Sequence, residues 1–224
     1  GEAAWPRVCS CSGALDLFLQ KKGAFYQNKS HWTKDPMAHI VPHWNFKGLE
    51  GKKIPVTVYT NCEELELFLN GKPLGKRQIE KYGHGEWSVE YIPGTLEVKG
   101  YIGGKEVCCD KRVTTGRPVA LRIIKDNDFT ANGSDIALFT CECVDENGRA
   151  VPDAAEYVSF SVSAPAKIVG TGSDICDHSN VANTSRKMYI GKIRVAVKPQ
   201  KGQKSFTLTA MCDNCGICEI DIIL

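Results

Sequence analysis

The chain has 224 residues, 42% of them hydrophobic, which fits one large domain or two of ordinary size and argues against disorder. Its 28 basic residues stand against 26 acidic ones, a net charge of +2, and the basic residues are scattered, so neither nucleic acid nor a membrane surface is an expected partner. No run approaches the ~18 apolar residues of a membrane-spanning helix.

In chain order, the opening GEAAWPRVCSCSG lacks the charged start and apolar centre of a secretion signal, and it lacks an initiator Met. A chain processed or cut from something longer is expected. Ala14 to Gln20, ALDLFLQ, reads as a short helix, and a second helical stretch is expected through Phe25, Tyr26 and His31. This first region, residues 1–36, has too few apolar residues to fold alone. It must lean on another surface, or it is the stump of a missing domain.

From Met37 the pattern changes to period 2. Ile54, Val56 and Val58 alternate on one strand, and Leu65, Leu67 and Leu69 alternate with Glu64, Glu66 and Phe68 on the next. Asn70-Gly71 follows at once and tolerates the positive φ of a type I′ turn, so the chain folds back at Lys72 and Pro73. Trp87, Val89 and Tyr91 alternate, then Leu96 and Val98 lead into a Gly103-Gly104 turn, and a strand over Val107 to Val113 closes the region. Short strands between Gly and Pro signals predict an immunoglobulin-type β-sandwich over residues 37–116. After Gly116-Arg117-Pro118 the pattern repeats. Strands are expected around Leu121, across Ile136 to Val144, and at Val158, Ile168, Ile193, Phe206 and Ile220, making a second sandwich over residues 117–224.

Eleven cysteines leave two readings. An oxidising compartment would pair most of them, and a reducing one would keep them as small buried hydrophobes. Cys141 and Cys143 sit among apolar strand residues, and a chain of this size needs no disulfides to hold a core, so free thiols and a cytoplasmic setting are favoured, with periplasm or secretion as alternatives.

Several stretches carry a resemblance. VYTNCEELELFLNGKPLG (Val58 to Gly75), the HWN at His43 to Asn45 and the Glu50-Gly51 pair resemble the entry into the first post-barrel sandwich of bacterial β-galactosidases of glycoside hydrolase family 2. SGALDL, Lys22, Tyr26 and Trp32 are similar to the family's last barrel helix and exit. Downstream, NGSD (Asn132 to Asp135), VDENGRAVPDA (Val144 to Ala154), GTGSDICDH (Gly170 to His178) and RKMYIGK (Arg186 to Lys192) resemble its second, immunoglobulin-like domain. The resemblance implies an all-β fold of two tandem immunoglobulin-like β-sandwiches, preceded by a short helical remnant of a (β/α)8 barrel. It places the family's acid/base and nucleophilic glutamates upstream of Gly1, so no catalytic residue carries over. No cofactor is implied.

Four residues are candidate carbohydrate contacts. His43 and Trp44 could bond and stack on a sugar ring, although Trp44 as core packing is the favoured reading. Asp174 and His178, with Asp177, form a polar loop that could hold sugar or calcium, although local turn bonds are favoured there. Cys212-Asp213-Asn214-Cys215-Gly216-Ile217-Cys218 has thiol spacing suited to zinc, with Cys176 or His178 as a fourth ligand, but its Asp, Asn and Gly read better as a hairpin, and no metal is expected. The expected function is that of a non-catalytic accessory region that packs on the barrel and shapes substrate access. Oligosaccharide is a second candidate partner. An autonomous carbohydrate-binding module, marked by a flat exposed Trp44 or Trp87, and a spacer of surface immunoglobulin-like repeats are the alternatives.

Overall fold

The computed structural model describes residues 12–173 and 177–224. They divide into two compact units, residues 12–114 and 115–224.

In the first unit the helix α1 (Gly23–Trp32) is followed by β1 (Ala38–Val41), β2 (Lys53–Thr60), β3 (Glu64–Leu69), β4 (Lys72–Gln78), β5 (His84–Glu90), β6 (Thr95–Ile102) and β7 (Lys105–Val113). One sheet has the order β1-β2-β5 and the other β4-β3-β6-β7, with every pairing antiparallel. The alternation predicts the faces correctly. Val58, Leu65, Leu67, Leu96 and Val98 are fully buried between the sheets, and each such side chain contributes about 1.5–3 kcal/mol of transfer free energy. The outer face of β3 is charged and paired across strands: Glu64 meets Lys76 Nζ at 2.7 Å, and Glu66 accepts from Tyr101 Oη at 3.2 Å. Asn70 and Gly71 have φ of 51° and 78°, the positive values that a type I′ turn demands.

The expected helix over Ala14 to Gln20 does not form. A single bridge pairs Leu15 with Lys21, and the Asp16 carboxylate accepts from both Phe18 N and Gln20 N at 2.8 Å. A side chain that captures nearby backbone N–H groups competes with the helical ladder, and in seven residues the ladder loses. The second helical expectation holds as α1. That helix has no side-chain cap and only a weak apolar stripe, so its fit on β1 and β2 holds it in place. The Tyr26 ring stacks on His39, with centroids 3.3 Å apart.

The second unit contains β8 (Ala120–Lys125), β9 (Ala137–Val144), β10 (Tyr157–Val162), β11 (Lys167–Gly172), β12 (Ser185–Lys187), β13 (Lys192–Lys198), β14 (Ser205–Cys212) and β15 (Gly216–Ile223). Its sheets have the orders β11-β13-β9-β8 and β12-β10-β14-β15. Phe139, Val158, Val195, Phe206 and Leu208 lie in its core. Cys141 and Cys143 are buried there, as the apolar surroundings of ALFTCECV suggest. Cys212 to Cys218 is a hairpin end: Cys212 pairs with Gly216, whose φ is 72°, while Cys212 and Cys215 turn into the core. No cluster of potential metal ligands occurs among the described residues.

Candidate functional site

His43 and Trp44 lie in the loop between β1 and β2. Trp44 is 1% exposed, its Nε1 donates to Ile92 O at 3.0 Å, and its ring meets Tyr91 and Phe46 edge-on at 5.2 and 6.0 Å. Both faces are therefore unavailable to a sugar, which corrects the sugar-stacking reading. Half-buried His43 accepts from Asn45 N through Nδ1 at 3.1 Å and stacks on Phe46. Trp87 is also buried, with Arg77 over its ring at 5.7 Å. Neither tryptophan forms the exposed platform of an autonomous binding module.

Asp174 lies outside the described residues. His178 is exposed and belongs to the second unit, whereas His43 and Trp44 belong to the first. Beside it, Asp177 is engaged by its own loop: it accepts from Ser179 N at 2.7 Å and from the buried guanidinium of Arg186. Arg186 also donates to Thr171 Oγ1 at 3.0 Å and to Asn180 O at 2.9 Å. Burial alone would raise the Asp177 carboxyl, but the Ser179 bonds and Arg186 hold it below the usual carboxylate range. This is a structural clasp in which Asp177 joins the turn at Ser179 to Arg186.

The described residues include two depressions. A groove of about 290 Å³ in the second unit is lined by Lys167, Lys198 and Lys201 around Pro165, Pro199 and Val169. A larger cleft in the first unit, about 390 Å³, is lined by His31, Asn61, Cys62, Glu63, Glu80 and Tyr82, among others. His31 Nε2 lies 3.1 Å from Tyr82 O, and the Tyr82 ring is 62% exposed. Glu63 and Glu80 are both exposed, and Glu63 Oε2 accepts from Gly103 N at 2.8 Å.

A third cluster was not apparent from the sequence. His39 on β1 faces Asp110 and Arg112 on β7, with Arg112 3.2 Å from its Nδ1 and the Asp110 carboxylate 3.8 Å away. Arg112 also donates to Ile40 O at 2.7 Å, and Asp110 accepts from Ile40 N at 2.8 Å, so the pair stitches one sheet to the other. Burial first, then Arg112, brings His39 down to about 4, with Asp110 opposing and Lys29 assisting. The alternation of β7 carried a signal: Cys108, Asp110 and Arg112 share one face of that strand.

Residues 122–221 match the family described as "Glycoside hydrolase family 2 C-terminal domain 5", and residues 51–108 match a "Domain of unknown function (DUF4982)". The chain is 34% identical over 211 residues to a β-galactosidase of Bacteroides ovatus, covering 91% of this chain and 25% of that protein. It is 31% identical over 222 residues to a β-glucuronidase of Formosa agariphila, covering 97% of this chain and 22% of that protein. Among solved structures, a β-glycosidase from Bacteroides vulgatus superposes with a TM-score of 0.93 at 30% identity, over 100% of this chain and 29% of that one. A glycosyl hydrolase family 2 member from Bacteroides cellulosilyticus gives 0.87 at 32% identity, over 94% and 32%. The chain thus spans about a quarter of the length of the curated relatives it matches. With two immunoglobulin-like sandwiches, the second of them a family 2 C-terminal domain, the chain belongs to the C-terminal region of glycoside hydrolase family 2.

Proposed function

We propose that the chain is the non-catalytic C-terminal accessory region of a bacterial family 2 glycoside hydrolase of β-galactosidase type. Its partner is a catalytic (β/α)8 barrel, whose active-site rim it supports. In this reading residues 1–36 are the end of that barrel, and residues 37–116 and 117–224 are the accessory sandwiches. The observation that carries the proposal is the likeness of the whole chain to less than a third of a β-glycosidase. Exposed Leu17, Leu19 and Trp32, at 58%, 55% and 81%, are apolar surface of the kind that a neighbouring domain covers.

A second reading, direct sugar contact by this chain, is favoured by the exposed Tyr82 ring beside His31 and Asn61 in the larger cleft. Titration with galactose, lactose, glucuronate and a panel of polysaccharides, read by tryptophan fluorescence and backbone amide shifts, separates the two. The accessory reading expects no saturable shift at millimolar sugar. Saturable shifts centred on Tyr82 would replace it with a sugar-binding module.

A further inference from the structure

In the first unit, Cys62 lies in the loop between β2 and β3 and Cys108 lies on β7, on either side of the central strand β6. Their sulfurs are 3.5 Å apart, in van der Waals contact. Gly100 on β6, which pairs with Cys108, makes the approach possible: a Cβ there would sit 2.7 Å from both sulfurs. Glycine leaves open the slot in which the two thiols meet across a strand.

We propose that Cys62 and Cys108 form an oxidisable dithiol site, which small-molecule disulfides such as glutathione disulfide close into a cross-link between the β2–β3 loop and β7. Three observations support it besides the contact. Cys62 is only 4% exposed, yet it lines the larger cleft, which gives a small oxidant a route to it. The hydrogen-bonding contact with Cys108, in which either sulfur can donate, holds the Cys62 thiol down to about 6, against the opposing effect of its own burial. The same contact drives the Cys108 thiol upward, so the two sulfurs have unequal roles. By contrast, Cys141 and Cys143 in the second unit are buried, and desolvation pushes Cys141 up to about 12 and Cys143 upward as well, which leaves both as unreactive thiols.

The chemistry proceeds in two exchanges. The Cys62 thiolate attacks one sulfur of glutathione disulfide. A Cys62–glutathione bond forms, the glutathione S–S bond breaks, and one glutathione thiolate leaves and takes up the Cys108 proton. The Cys108 thiolate then attacks Cys62 Sγ. The protein disulfide forms, and the second glutathione leaves as a thiolate that is protonated by solvent. The dithiol is oxidised by two electrons, and one glutathione disulfide is reduced to two thiols.

The test incubates the folded, fully reduced chain with glutathione disulfide, quenches by alkylation, and reads intact mass and disulfide-linked peptides. The expected first product has lost two hydrogens, retains no glutathione, and yields a Cys62–Cys108 peptide. Cys108→Ser should halt at a single glutathione retained on Cys62. Cys62→Ser should leave Cys108 fully alkylatable. A urea-unfolded chain should show no preference for this pair, because the fold supplies the contact. Should either serine variant fail to fold, the wild-type peptide map alone decides. A first disulfide elsewhere in the chain, or Cys62 and Cys108 both still alkylated once other thiols have reacted, would overturn the proposal.

Discussion

Trp44→Ala is expected to destabilise the first sandwich by about 3–5 kcal/mol, the range for truncating a buried large aromatic. The side chain is 1% exposed and sits against Tyr91 and Phe46, so its removal opens a cavity that the neighbouring rings cannot collapse into without giving up their edge-to-face contacts. It also strips the Ile92 carbonyl of its indole donor. Trp44→Phe should lose less, because a ring still fills most of the space. Urea unfolding gives the answer as a lower midpoint at unchanged slope. A loss under about 1 kcal/mol for Trp44→Ala would show that the residue serves something other than the core.

Stability should also fall as the pH drops from 6.5 towards 4, by about 2–3 kcal/mol, because of His39 alone. The unfolded chain protonates this imidazole near 6.5, whereas the folded chain resists until about 4. Between those values the unfolded state binds the extra proton, so acid favours unfolding. Burial of the ring is the main cause, and the groups facing it add to or oppose that effect. Arg112 and Lys29 oppose a positive imidazole, Asp110 favours it, and the stacked Tyr26 ring helps to exclude water. Below that window a second decline begins, as Asp135, Asp145 and Asp177, all held below the usual carboxylate range, are protonated. Thermal melts at pH 7.5, 5.5 and 4.5 measure the first step. His39→Gln should flatten it and leave the second step in place. An unchanged slope in His39→Gln would assign the acid sensitivity to other groups.

Strands are legible in the sequence wherever one face is apolar and the other charged. The spacing of Leu65, Leu67 and Leu69 alone names the core face of β3, and Asn70-Gly71 names its turn. ALDLFLQ is misleading because helix propensity is weak over seven residues, and Asp16 offers the backbone another partner. Short β1 and β12 give no such signal, since strands of four and three residues carry little periodicity. The sites are less legible than the fold. HWN admits both core packing and sugar stacking for its tryptophan, and only the 1% exposure of Trp44 decides between them, while the contact between Cys62 and Cys108 depends on Gly100, a residue that is adjacent to neither in sequence. Nor does the spacing of His39, Asp110 and Arg112 reveal that β1 and β7 bring them together.

In the proposed role the chain supports glycoside hydrolysis without performing it. The most direct test is hydrolysis of p-nitrophenyl β-galactoside and β-glucuronide by the purified chain alone. Release no faster than in a protein-free blank is expected. Turnover that scales with chain concentration and stays with the protein through repurification would contradict it.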